Sequence, residues 1–395
     1  MVSKKAQSIS PSPTLAIDTK FKQMKADGID VVGFGAGEPD FNTPEHICAA
    51  AVKAITDGKT RYTPAAGTLE MRKAVCKKFL NENGLEYEPT QIVVSNGAKH
   101  SLVNIFMVIC NPGDEVIIPS PYWVSYPEMV KLADGVPVTV NTKEENGFKA
   151  TVSDFEAAIT PKTRAIILNS PSNPTGMVYT EEELRAIADM AVRHNIYVVS
   201  DEIYEHLIYN GKHVSIASFG EKIKDLTIIV NGVSKTYAMT GWRIGFTASN
   251  SEIAKAMSSI QSHATSNPNS IAQEAAIAAL EGGLDCVEVM KREFVKRKEY
   301  MVDRINKIDG VSCLNPDGAF YIMMNIKEVI GKTLYGVTID SADVFADLFL
   351  EKAKVAVVPG TGFEAPEYVR WSYATSMDNC KAGLDRLEAF LKEQF

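Results

Sequence analysis

Five short runs constrain this chain more than anything else in it: QIVV (91–94), EVIIP (115–119), RAIILNS (164–170), IYVVS (196–200) and LTIIV (226–230). Each is rich in β-branched residues, and none alternates apolar with polar. A strand with one wet face alternates, whereas a strand buried on both faces does not. Each run therefore predicts a strand in a mostly parallel sheet covered by helices on both sides. The intervening segments supply the helices. EEELRAIADMAVRHN (181–195) carries Glu at its start and Arg and His at its end, matching the helix dipole. Strands alternating with helices predict an α/β fold.

Size and composition agree with that reading. The chain has 395 residues, enough for two or three folding units. At this length about three quarters of the unfolded surface can be buried, so stability needs neither disulfides nor metals. With 45% hydrophobic and 23% charged residues, the chain is neither disordered nor collagen-like. A net charge of -8 argues against a nucleic-acid backbone as the main partner. The six cysteines form no CxxC pair, which predicts reduced thiols in a cytoplasmic protein. The first twenty residues hold no apolar core of a signal peptide, and no apolar span is long enough for a membrane helix.

The texture changes near Val287. A long charged helical stretch leads to PDGAFYIMMNI (316–326), then a helix (SADVFADLFLEKA), a strand (VAVVP) and a final helix. This predicts a second, smaller α+β unit. The expected division is an N-terminal arm over 1–45, a large domain over 46–289 and a small domain over 290–395.

In open α/β sheets, ligands bind beyond the carboxyl ends of the strands. The residues leaving the five strands are therefore the candidate chemistry. They are Gly97 opening a helix, Trp123, Asn173, Asp201 with Tyr204, and Lys235, followed by Arg243. A helix start with an arginine suits a phosphate. A flat indole suits a flat ring. A carboxylate suits a protonated ring nitrogen, and a buried lysine suits an aldehyde. Pyridoxal 5'-phosphate has all four handles.

Nine motifs then occur in one order: AGEPDF, TRYTPAAG, SPYWVSYPEMV, NSPSNPTG, SDEIYEHL, SKTYAMTGWRIGF, GAFY, VVPGTGF and VRWSYATS. Through them the chain resembles the class I, fold-type I pyridoxal-phosphate aminotransferases, and within these the bacterial-type (Ib) aspartate aminotransferases. The resemblance covers essentially the whole chain. It implies a seven-stranded, mostly parallel sheet, a small domain built from the two chain ends, and a homodimer with sites at the subunit interface. It implies Lys235 as Schiff-base lysine and proton carrier, and Asp201 beside the ring nitrogen. Trp123 would stack on the ring, while Asn173 and Tyr204 would meet its 3-oxygen. Arg243 and the amides of Ala98 and Lys99 would hold the phosphate, with Tyr62 reaching in from a second subunit. Arg370, helped by the Gly37 amide, would take the substrate α-carboxylate beside Trp123 and Asn173. Lys99, Ser12 and Thr14 would meet the distal carboxylate of L-aspartate, with 2-oxoglutarate as acceptor and ping-pong kinetics. An aromatic, prephenate or kynurenine-type aminotransferase of the same family is the alternative, and a pyridoxal-phosphate lyase is a further one.

One position departs from some relatives of this kind. Where they carry serine three residues before the lysine, this chain has Gly232, with Ser234 next to Lys235. Other motifs fail. GFGAGEP breaks the dinucleotide pattern at Glu38 and Pro39, no GxxxxGK[ST] or HExxH occurs, and the six histidines are dispersed, so no metal site is expected.

Overall fold

The computed structural model describes residues 2–11 and 13–392, with the backbone alone at 13–16 and 18. Its centre is a seven-stranded sheet: β1 (Ile92–Ser95), β2 (Glu115–Ser120), β3 (Val136–Asn141), β4 (Thr163–Asn169), β5 (Tyr197–Asp201), β6 (Thr227–Gly232) and β7 (Gly245–Ala248). The order across the sheet is β1-β7-β6-β5-β4-β2-β3. Only β7 runs against the others, antiparallel to both β6 and β1. All five predicted strands are present. The two that sequence patterning missed have physical reasons. β3 is an edge strand with one buried position and a proline, and β7 is a short glycine-led run.

The helices form where caps and apolar spacing agree. Glu181–His194 starts at Thr180, whose side chain accepts from the Glu183 amide while Glu183 reaches back, a reciprocal capping box. It buries Leu184, Ile187, Ala188, Met190 and Ala191 on one face. Burying each larger side chain among these stabilises by about 1.5–3 kcal/mol. Asn195 ends it in the left-handed region at φ 51°.

The smaller unit has a four-stranded antiparallel sheet: β8 (Ser312–Cys313), β9 (Tyr321–Asn325), β10 (Val358–Pro359) and β11 (Tyr368–Ser372), ordered β10-β11-β9-β8. The predicted VAVVP strand is split. Val355–Ala356 pairs in parallel with Val32–Gly33, while Val358–Pro359 joins β11. The N-terminal segment is thereby stitched onto the C-terminal unit, and Arg386 adds an ion pair with Asp30 at 2.5 Å. Among the described residues, no helix is long and apolar enough to cross a membrane.

Candidate active site

The parallel strands end on one side of the sheet, and their exits line one cavity of about 570 Å³. Register makes this happen. Asn169 at the end of β4 pairs with Asp201 at the end of β5, and Asp201 pairs with Val230 of β6. The chain then turns, and Lys235 follows three residues beyond β6. Gly37, Ala98, Lys99, Trp123, Asn173, Asp201, Tyr204, Lys235, Arg243 and Arg370 all line this cavity.

Lys235 sits deep in it, its amine donating to the Gly37 carbonyl. Burial lowers its pKa to about 8; Glu38 opposes this, while Arg243 and Arg370 add to it. Asp201 is 3% exposed, and burial raises its carboxyl to about 6. Two donors hold that carboxyl: the Tyr126 hydroxyl at 2.6 Å and the Ile203 amide at 3.3 Å. Tyr126 also meets Trp123 edge to face, with ring centroids 5.4 Å apart.

At the phosphate-sized end, Gly97 begins the helix Ala98–Ile109 with φ 88°. First-turn amides such as those of Ala98 and Lys99 have no carbonyl four residues back, so they are free to meet an anion. Arg243 lies across Gly97, where any added Cβ would overlap its guanidinium. The Lys99 ammonium sits 4.8 Å from the centre of the Trp123 ring. Burial and the nearby Arg243 lower the Lys99 pKa.

At the opposite end, Arg370 is 2% exposed. One guanidinium nitrogen donates to Asn173 Oδ1 at 2.9 Å and another to the Gly35 carbonyl at 3.0 Å. Among the described residues its Nε has no hydrogen-bond partner, and the guanidinium lies 4.5 Å from the Tyr321 ring centre. The Tyr204 and Tyr321 hydroxyls are 2.9 Å apart.

One candidate is not on this cavity. Tyr62 stands on the surface, 90% exposed. Ser12 lies outside the described residues, and so does the Thr14 side chain, whose backbone belongs to the helix Pro13–Ala26. The Gly232 departure has a steric reason. A Cβ there would stand 2.9 Å from the Ile244 carbonyl and 3.0 Å from Gly245 Cα, so this backbone leaves no room for serine. Ser234 lines the cavity instead. Sequence reading missed Tyr126, Glu38 and Tyr321 as site residues. All three lie in the quoted motifs SPYWVSYPEMV, AGEPDF and GAFY, but their partners are remote in sequence.

The donors fit a ring bearing an aldehyde and a phosphate: a half-buried amine, a buried carboxylate, an aromatic plate and a helix start with an arginine. Comparison with known proteins gives the class. The family described as aminotransferase class I and II matches residues 29–387, and the chain belongs to it. It is an aminotransferase. An aspartate aminotransferase from Geobacillus stearothermophilus is 51% identical over 392 residues, covering 99% of each chain. An aspartate/prephenate aminotransferase from Nitrosomonas europaea is 45% identical, again over 99% of each. Among solved structures, the aspartate aminotransferase from Rhizobium meliloti aligns with a TM-score of 0.96 at 43% identity, covering 99% of each chain. The one from Thermus thermophilus with maleate aligns at 0.94 and 43%, covering 99% of this chain and all of that one.

Proposed function

We propose that this chain transfers the amino group of L-aspartate to 2-oxoglutarate, giving oxaloacetate and L-glutamate, with pyridoxal 5'-phosphate as cofactor. The observation that carries the reading is the placement of Lys235 between a buried carboxylate and a buried guanidinium in one cavity. Bound pyridoxal phosphate supplies an aldehyde for an amine and a ring that draws electrons from the substrate Cα. Asp201 would hold the proton on the ring nitrogen, Trp123 would cover one ring face, and Tyr204 and Asn173 would meet the 3-oxygen. Ala98, Lys99 and Arg243 would hold the phosphate.

Lys235 is suited to take a proton from the substrate Cα and return it. With a pKa of about 8, about one amine in ten is free at pH 7, against roughly three in ten thousand for an ordinary lysine. Arg370 presents a planar fork, steadied by Asn173 and Gly35, that matches an α-carboxylate. Lys99 offers a second cation in the same cavity for a distal carboxylate. Maleate, named with the Thermus thermophilus relative, is such a four-carbon dicarboxylate. Both substrates are dicarboxylic acids, so one pocket serves both halves of a ping-pong cycle. We further propose a cytoplasmic homodimer, in which Tyr62 of each chain would reach the phosphate of the other, and domains at 1–45, 46–289 and 290–395. The Nitrosomonas europaea relative supports prephenate as a second acceptor.

The test is the visible spectrum of the purified protein. Yellow colour that bleaches with L-aspartate and returns with 2-oxoglutarate is the expected result. Yellow colour that ignores aspartate but bleaches with an aromatic donor would overturn the roles given to Lys99, Ser12 and Thr14.

A further inference from the structure

Behind the cavity lies a buried ionic cluster that the reaction does not use. The segment leaving β5 places Asp201 and Tyr204 on the cavity, while Glu205 and His206 belong to this cluster. Lys78, on the helix Leu69–Asn83, is 4% exposed and pairs with Glu205, itself 6% exposed. Glu205 also accepts from Asn231 Nδ2 at 2.6 Å and Asn83 Nδ2 at 3.0 Å. Asn231 Oδ1 in turn accepts from the Gly232 amide at 2.7 Å. His206 Nδ1 lies 3.2 Å from the Thr236 hydroxyl, and its Nε2 lies 3.0 Å from Glu82.

These contacts grip the chain on both sides of one residue. Glu205 holds Asn231, and through it Gly232, before Lys235. His206 holds Thr236 immediately after it. A buried ion pair is weak evidence for stability, because well-packed apolar residues often do as well, so its presence here asks for another reason. The histidines also gather carboxylates, as Glu82, Glu205 and His206, and as Glu202, Glu205 and His213. Lys78 already brings a positive charge to Glu205.

We propose that Glu205 and His206 are positioning residues for Lys235, clamping the Asn231–Thr236 turn so that the amine stays aimed into the cavity. The inference rests on the reading of Lys235 as the cofactor-bearing lysine. Because Glu205 and His206 follow Tyr204 directly, one strand exit sets both the cofactor contacts and the lysine that faces them. Glu205 holds its charge in this setting: burial pushes its carboxyl up, but Lys78, His206 and His213 outweigh burial and hold it below the usual carboxylate range.

The test uses the pyridoxal-phosphate-loaded protein and three variants: Thr236→Val, Glu205→Gln and the double variant Lys78→Met/Glu205→Gln. Thr236→Val removes one hydroxyl at nearly constant volume, so it decides the matter if the others fold poorly. Three quantities are read: the pH midpoint of the visible absorption, the split between kcat and KM, and the melting temperature. We expect the absorption midpoint to move by about half a pH unit or more. We expect kcat to fall about tenfold, with KM for the amino acid changed less than about twofold. Folded variants whose midpoint and kcat match the parent would overturn the inference, even if their melting temperatures fall, because a structural role alone would do that. A parent that pyridoxal phosphate cannot turn yellow overturns the cofactor reading itself, and this inference with it.

Discussion

Lys235 and Asp201 show how one physical cause prepares two opposite groups. Burial disfavours whichever form is charged, so it lowers the lysine to about 8 and raises the aspartate to about 6. In the unfolded chain Lys235 keeps its proton up to about pH 10.5. Between pH 8 and 10.5 the unfolded state therefore binds more protons than the folded one, and the lysine's contribution to cofactor-free stability rises with pH. Below pH 8 the full cost of the buried charge is present. Lys235→Met should remove that cost. We expect the cofactor-free variant to be more stable than the parent by on the order of 2 kcal/mol at pH 7, with the gap closing toward pH 10.5 and turnover abolished. Urea denaturation at several pH values reads this directly, and an unchanged or lower stability at pH 7 would contradict it. Tyr126 makes the matching prediction for the acid. Its hydroxyl donates to Asp201 and opposes the effect of burial. A hydrogen bond to a charged group contributes about 1.5–3 kcal/mol, equivalent to about one to two pH units. Tyr126→Phe should therefore raise the Asp201 pKa, moving the acid limb of the kcat profile to higher pH; a limb left in place would refute this.

The elements were legible in the sequence to different depths. The five central strands were plain because burial on both faces leaves a run with no polar alternation. Lys235, Asp201 and Asn173 were legible for a related reason: each follows a strand directly, and strand exits in such a sheet face one crevice. Tyr126, Tyr321 and the Lys78–Glu205 pair were not legible, because each acts through a partner brought close only by tertiary folding. Gly232 looked like a missing contact until the approach of β7 showed that glycine alone fits there. The start of Ala98–Ile109 carries its own prediction. Gly97 has φ 88°, a conformation costly for residues with a Cβ, and Arg243 occupies the space a Cβ would need. Gly97→Ala should displace the arginine from the helix start. The expected result is cofactor affinity reduced about tenfold or more, measured by absorbance titration, with the far-ultraviolet circular dichroism of the parent. Parent-like affinity would mean that Arg243 is not needed at that position.

Across the whole molecule, polar contacts remote from the cavity also tie the two sheets, and Glu144 makes two of them. It lies just beyond β3, in a turn over Glu144–Asn146. One carboxylate oxygen accepts from Asn325 Nδ2 of β9 at 2.7 Å and from the Tyr368 hydroxyl of β11 at 2.9 Å. Burial and the bond to Glu144 push the Tyr368 phenol up to about 12, so it keeps its proton, and donates, through the neutral range. A second tie runs from the Tyr122 hydroxyl to Glu364 at 3.3 Å. Arg370, in the same strand as Tyr368, is thus set relative to Lys235 by contacts remote from the cavity. Glu144→Ala removes the acceptor from two donors at once. It should lower stability by on the order of 2 kcal/mol. It should also raise KM for the amino acid more than it lowers kcat, because the guanidinium's placement loosens while Lys235 and Asp201 are untouched. Cofactor affinity should match the parent, since the residues assigned to the phosphate and the ring lie on neither β9 nor β11. A variant with the parent's melting temperature and KM would show that the remaining ties, among them the apolar packing of Val124, Phe148, Met323 and Phe363, hold the two sheets in register without Glu144.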